Sequence, residues 1–186
     1  MRPYRRLAAT AAVLVPVLAA ALAGCTDTDA SSGKSPATSS SPGPSYGPHV
    51  VHFDGVPGVG FGDLKAGLAA DGHLATGQGA CGPTFPATPE VRPVFDGEKL
   101  VLLWADPPYR TPEGLGVGSA VADVRHAYPA AEQLTPPTGS YAFPGLLVAH
   151  GDRAYLFLHD DETVQKLIVG YTEYARRLFE HGFGQC

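Results

Sequence analysis

From Leu100 to Ala105 every residue is apolar, and the run is bounded by polar Lys99 and Asp106. A short continuous apolar run of this kind predicts a strand covered on both faces. On strict alternation Leu100, Leu102 and Trp104 share one face, and Val101, Leu103 and Ala105 the other. Either face is core, which makes Trp104 a core residue. Val91 to Phe95 comes before this strand, and Asp96-Gly97-Glu98 between the two predicts a hairpin turn. Three further runs are Leu146 to His150, Ala154 to Leu158 and Val164 to Tyr171. Gly151-Asp152 and Asp160-Asp161-Glu162 separate them, the pattern of an antiparallel meander.

Helical periodicity is shorter and occurs twice in related settings. Residues 58 to 68 read GVGFGDLKAGL, and residues 114 to 124 read GLGVGSAVADV. The two align without a gap at an offset of 56 residues. Gly58, Gly60 and Gly62 match Gly114, Gly116 and Gly118; Asp63 matches Ser119, and Leu68 matches Val124. This is an internal repeat. Asp63 and Ser119 read as helix N-caps. Leu64 and Leu68 then fall on one helical face and Gly72 ends the run; Val121, Val124 and Tyr128 form the second face and Pro129 stops it. A third short helix is predicted from Thr172 to His181, with Thr172 as cap, Tyr174 and Leu178 at i and i+4, and Gly182 as stop. Helix followed by strands, twice, predicts an α+β domain: two tandem α-β-β-(β) units forming one antiparallel sheet, with short helices packed on one face.

The glycine runs are not read as phosphate loops. Their spacing is G-x-G-x-G, where a dinucleotide fingerprint needs G-x-G-x-x-G after a buried strand, and no G-K-[ST] follows. Turn-rich sequence precedes both, HFDGVP in one case and PPYRTPE in the other.

The first 48 residues have a different character. Arg2, Arg5 and Arg6 precede an apolar run from Leu7 to Leu22, shorter than the roughly 20 residues of a spanning helix. A basic start, a short apolar stretch and small residues read as a secretion signal over residues 1–24, with Arg5-Arg6 leaving the export route open. Leu22-Ala23-Gly24-Cys25 resembles the bacterial lipobox. That resemblance implies cleavage before Cys25 and a diacylglyceryl group on its sulfur, an anchor that two acyl chains make stable. From residue 26 to 48, 17 of 23 residues are Ser, Thr, Pro or Gly, so residues 25–48 read as a lipidated cysteine and a disordered tether. Residues 49–186 form the single folded domain. Lipidation of Cys25 leaves Cys81 and Cys186, and an extracytoplasmic compartment permits a disulfide between them; two free thiols are the alternative.

Charge and chemistry narrow the picture further. Residues 49–186 carry 9 Lys or Arg against 16 Asp or Glu, a net of −7. That argues against nucleic acid as a partner. Seven histidines (His49, His52, His73, His126, His150, His159 and His181) show no metal-ligand spacing, and the acidic turn after His159 lacks an EF-hand frame. No G-x-S-x-G elbow is present. No catalytic residue, metal or cofactor is expected. Tyr155 and Phe157 alternate with Ala154, Leu156 and Leu158 along one strand, and one set faces away from the helices. If the aromatic set does so, it forms a sticky exposed face, which makes Tyr155 and Phe157 the candidate partner-binding residues.

The run RTPEGLGVGSAVADVRHAYP (110–129), the run FLHDDETVQKLIVG (157–170) and the terminal cysteine resemble secreted actinobacterial lipoproteins of unassigned function. The tandem of helix and sheet is also similar in architecture to the β-lactamase inhibitor protein and to outer-membrane assembly lipoproteins of the BamE type. That likeness implies binding to another protein, although no binding residue of the inhibitor is matched here. The expected protein is therefore a lipid-anchored envelope protein on the extracytoplasmic face of the membrane. It acts as a non-enzymatic binding module for another envelope protein or a wall component, with a small wall-directed hydrolase as the alternative.

Overall fold

The computed structural model describes residues 47–75, 82–138 and 142–182. The signal segment, most of the tether, Cys25, Cys81 and Cys186 lie outside these residues. Among the described residues no helix is long and apolar enough to cross a membrane.

A small hairpin of β1 (Gly55–Val56) and β2 (Val59–Gly60) leads into helix α1 (Lys65–Ala70). Strands β3 (Val91–Asp96) and β4 (Lys99–Ala105) pair around the Gly97 turn. Helix α2 (Val121–Ala127) is followed by β5 (Glu132–Leu134), β6 (Gly145–His150), β7 (Arg153–His159), β8 (Val164–Tyr171) and helix α3 (Thr172–His181). Strands β3 to β8 form one antiparallel sheet in the order β3-β4-β8-β7-β6-β5. The domain is α+β. The hairpin and the meander form where alternation placed them. The polar three-residue strand β5 and the two-residue strands β1 and β2 carry no alternation that announces them.

Strict alternation fails in β4. Val94 pairs with Leu102 but Phe95 pairs with Leu100, so Val101 is an extra residue, a bulge. Leu100, Leu103 and Ala105 therefore join one core cluster, and Val101, Leu102 and Trp104 the other. The neighbouring strand accommodates this with Gly170, which pairs with Leu102. A Cβ at Gly170 would lie 2.2 Å from the Val101 carbonyl oxygen, and its φ is +149°. Only glycine fits there.

Both faces of the sheet are filled. On one side Leu103, Leu146, Tyr155, Phe157, Leu167 and Val169 cluster with Leu68 of α1, Val121 and Val124 of α2, and Val51, Val59 and Phe61 of the amino-terminal segment. On the other, Leu102, Leu147, Leu156 and Ile168 meet Ala175 of α3, with Leu178 and Phe179 packed alongside. Trp104 is only partly buried, with the Arg92 guanidinium 5.7 Å and the Lys166 ammonium 5.6 Å from its ring centre.

The exposed aromatic face does not exist. Tyr155 and Phe157 are 1% and 0% exposed. Phe53 stacks on Tyr155 with centroids 4.0 Å apart, and Tyr128 lies 6.1 Å from Phe157. The cause is the segment before α1. Its glycines and prolines disguise five apolar residues (Val51, Phe53, Val56, Val59 and Phe61) that lie on this face. Burial of each aromatic ring contributes on the order of 2 kcal/mol, which an exposed stripe would forgo.

Candidate functional site

The two glycine runs are built alike. Gly58 and Gly114 have φ of +80° and +81°, and Gly62 and Gly118 have +101° and +85°. Asp63 and Ser119 do not cap the helices. The N-cap residues are Leu64 and Ala120, one position later, and neither makes a side-chain cap bond. Instead the Gly60 N–H donates to Asp63 Oδ2 at 2.7 Å, and the Gly116 N–H donates to Ser119 Oγ at 3.0 Å. Each turn then clasps the first residues of a central strand. Gly62 N–H donates to Leu100 O, Leu100 N–H to Asp63 O, and Lys65 N–H to Glu98 O. Gly118 N–H donates to Val164 O, Val164 N–H to Ser119 O, and Val121 N–H to Glu162 O. The terminal helix likewise begins after Tyr171 rather than at a Thr172 cap; the Thr172 hydroxyl is buried with no hydrogen-bond partner among the described residues.

The two turns differ in what occupies them. An open cleft of about 480 Å³ lies at the first, lined by His52, Asp54 and residues 55–60. That volume suits a small ligand or one or two protruding side chains. Most of the lining is apolar hairpin (Val56, Pro57, Val59), with His52 and Asp54 as its ionisable groups. The His73 imidazole packs on Gly58, where a Cβ would stand 2.8 Å from its Cε1.

A polar cluster backs His52. The Tyr128 hydroxyl donates to the Glu113 carboxylate. Burial and this bond raise the phenol above its ordinary pKa. Burial opposes ionisation of Glu113, but hydrogen bonds from Tyr128, the backbone and Thr111 outweigh it and hold the carboxyl below its usual range. Burial pushes the His52 imidazole down, while Asp54 and Glu113 pull it back up. No spacing in the sequence joins these residues: they come from the amino-terminal segment, the second glycine run and the end of α2.

A second open cleft, about 560 Å³, lies beside Asp152, Tyr171, Thr172, Glu173 and Arg176. Arg176 is already engaged in a two-pronged ion pair with Glu132. The Arg153 guanidinium lies 3.7 Å from the centre of the Tyr171 ring.

Of the residues singled out by sequence, Cys25, Cys81 and Cys186 lie outside the described residues, and Tyr155 and Phe157 are core. Among the described residues, no three His, Cys, Asp or Glu side chains form a group able to hold a metal ion. His52 and Asp54 of the cleft carried no sequence signal beyond the turn-like stretch around them. Comparison with family models, curated proteins and solved structures finds no match for this chain.

Proposed function

We propose that this chain is a lipid-anchored envelope protein whose domain binds another envelope protein or a wall component through the cleft at the first glycine turn. The observation that carries the reading is the cleft itself: about 480 Å³, open, apolar in most of its lining, with both His52 and Asp54 in that lining. Because both broad faces of the sheet are filled, a partner is offered turns and edges rather than a bare sheet. The anchor is Cys25, the tether is residues 26–48, and the Cys81–Cys186 bridge closes the domain. The domain itself is read as two tandem helix-sheet units, supported by the matched φ angles and hydrogen bonds of the two glycine runs.

Two experiments test this. The full chain should incorporate labelled fatty acid and Cys25→Ser should not; equal labelling of both removes the anchor from the proposal. The immobilised full chain should retain one envelope component in stoichiometric amount from an extract of the producing cells. Retention of nothing, from extracts prepared with and without cross-linking, counts against a binding module.

The His52–Asp54 pair favours a second reading, a wall-directed hydrolase in which His52 acts as general base beside a carboxylate. Release of fragments from purified wall, abolished in His52→Gln, would establish it; no release sinks it.

A further inference from the structure

The two glycine turns are related by the offset of 56 residues, which pairs Asp54 with Arg110, Gly58 with Gly114, and Asp63 with Ser119. In the second turn the occupant is Arg110. Its guanidinium donates to the Gly114 carbonyl at 3.1 Å and meets Ser119 Oγ at 3.3 Å. Its stem lies over Gly116, where a Cβ would stand 3.2 Å from Arg110 Cγ. The second turn is thus filled by a cation of its own chain.

At the first turn the corresponding residue is an acid. The nearest atoms to a Cβ on Gly60 are the Asp63 carboxylate oxygens at 3.6 and 3.8 Å and the Asp54 carbonyl oxygen at 3.7 Å. None of these three atoms belongs to an arginine or lysine stem such as the one that lies over Gly116. Asp54 and Asp63 form no ion pair with any described Lys or Arg. The serine hydroxyl that contacts the guanidinium in the second turn is replaced by a full carboxylate in the first. The first turn therefore carries two carboxylates, with His52 also in the lining, where the second carries its own arginine, and the cleft lies at Gly60, the counterpart of the Gly116 that the Arg110 stem covers.

We propose that the cleft at the first glycine turn binds the guanidinium of an arginine side chain presented by a protein partner. Asp54, in the lining of the cleft, supplies the carboxylate, and Asp63, whose Oδ2 accepts the Gly60 N–H, adds negative charge next to Gly60. A planar, forked donor suits paired oxygen acceptors better than a compact ammonium does. The apolar stem of an arginine lies against Val56, Pro57 and Val59. The excess of acidic residues draws such a partner in. This deepens the binding reading above and rests on it for the nature of the partner.

The test is a titration of the ¹⁵N-labelled full chain with acetyl-Gly-Arg-Gly-amide, with the Gln peptide as control. Saturable shifts confined to the amides of residues 54–63, absent with the Gln peptide, are expected. Asp54→Asn should weaken binding about tenfold, as loss of a charge-assisted bond does. Asp54→Arg imitates the second turn and should abolish binding while keeping the wild-type melting temperature. If that variant does not fold, Asp54→Asn decides. Absence of saturable shifts, equal binding of the Gln peptide, or undiminished binding by Asp54→Asn overturns the proposal. Envelope capture separates the two readings: a partner retained equally by wild type and Asp54→Arg removes the arginine site and leaves the binding module. Peptide binding without a retained partner does the reverse.

Discussion

The Tyr155 hydroxyl donates a hydrogen bond to the Val51 carbonyl oxygen at 3.1 Å, across 104 residues of chain. Both residues are buried, Val51 at 0% exposure. The bond joins the middle of the sheet to the segment that leads out of the tether. Tyr155→Phe keeps the ring stack with Phe53 but leaves a buried carbonyl short of this donor. A loss of about 1–2 kcal/mol is expected in chemical denaturation. Phe157→Ala on the same strand opens a cavity and should cost about 3–5 kcal/mol. A Phe157→Ala protein as stable as wild type would return this strand to the surface.

The extent to which this fold could be read from sequence depends on where each signal is stored. The hairpin β3–β4 and the meander β6–β8 are legible because their apolar runs and turn residues are local. The glycine runs are legible as a pair because they match without a gap. The Val101 bulge is not, since a register slip is a property of two strands and is recorded as much in Gly170 as in β4. The fate of Tyr155 was hidden for a similar reason. Its cover comes from Val51, Phe53 and Phe61, in a stretch whose glycines signal turn and say nothing of what the turn lies upon. His52, Glu113 and Tyr128 meet only through tertiary packing, so no spacing could announce them.

Gly170 allows that argument to be tested. Gly170→Ala sets a Cβ against the Val101 carbonyl and forces a residue with φ of +149° into strain. The expected loss is about 3 kcal/mol or more, read from the denaturation midpoint. Gly118→Ala is the control. Its φ is +85° but a Cβ there meets nothing within 4 Å, so only conformational cost of about 1–2 kcal/mol applies. Equal losses for the two would remove the bulge from the explanation.

His159 gives the domain an acid-sensitive point. Its side chain is 1% exposed and its Nδ1 accepts the Asp161 N–H at 3.1 Å. The proton of the neutral ring is therefore on Nε2, which is buried with no hydrogen-bond partner among the described residues. Burial holds the pKa below the ordinary value; Asp161 opposes this, Arg125 of α2 adds to it, and Asp160 opposes it. A histidine lowered on folding takes up protons more readily in the unfolded chain. Stability is therefore full above the unfolded pKa of about 6.5 and declines as pH falls from there toward the folded value. The melting temperature should drop as pH falls below about 6.5, and less steeply in His159→Asn, whose amide oxygen can replace Nδ1 as acceptor. His52, also lowered, supplies part of the remaining slope. Identical slopes in wild type and His159→Asn would exclude His159 as the sensor.

Asp63 and Ser119 test whether the two glycine turns act as separate clasps. Each accepts the N–H of the glycine three residues before it, and each turn holds a different central strand. Alanine at either position removes one side-chain acceptor and should lower global stability by about 1 kcal/mol. The informative reading is local. In Asp63→Ala, hydrogen exchange should accelerate at Gly62, Lys65 and Leu100, whose amides make the first clasp, and stay at wild-type rates at Gly118, Val121 and Val164. Ser119→Ala should give the converse. If either substitution accelerates both sets equally, the turns open only with the whole domain, and the matched hydrogen bonds do not make independent units.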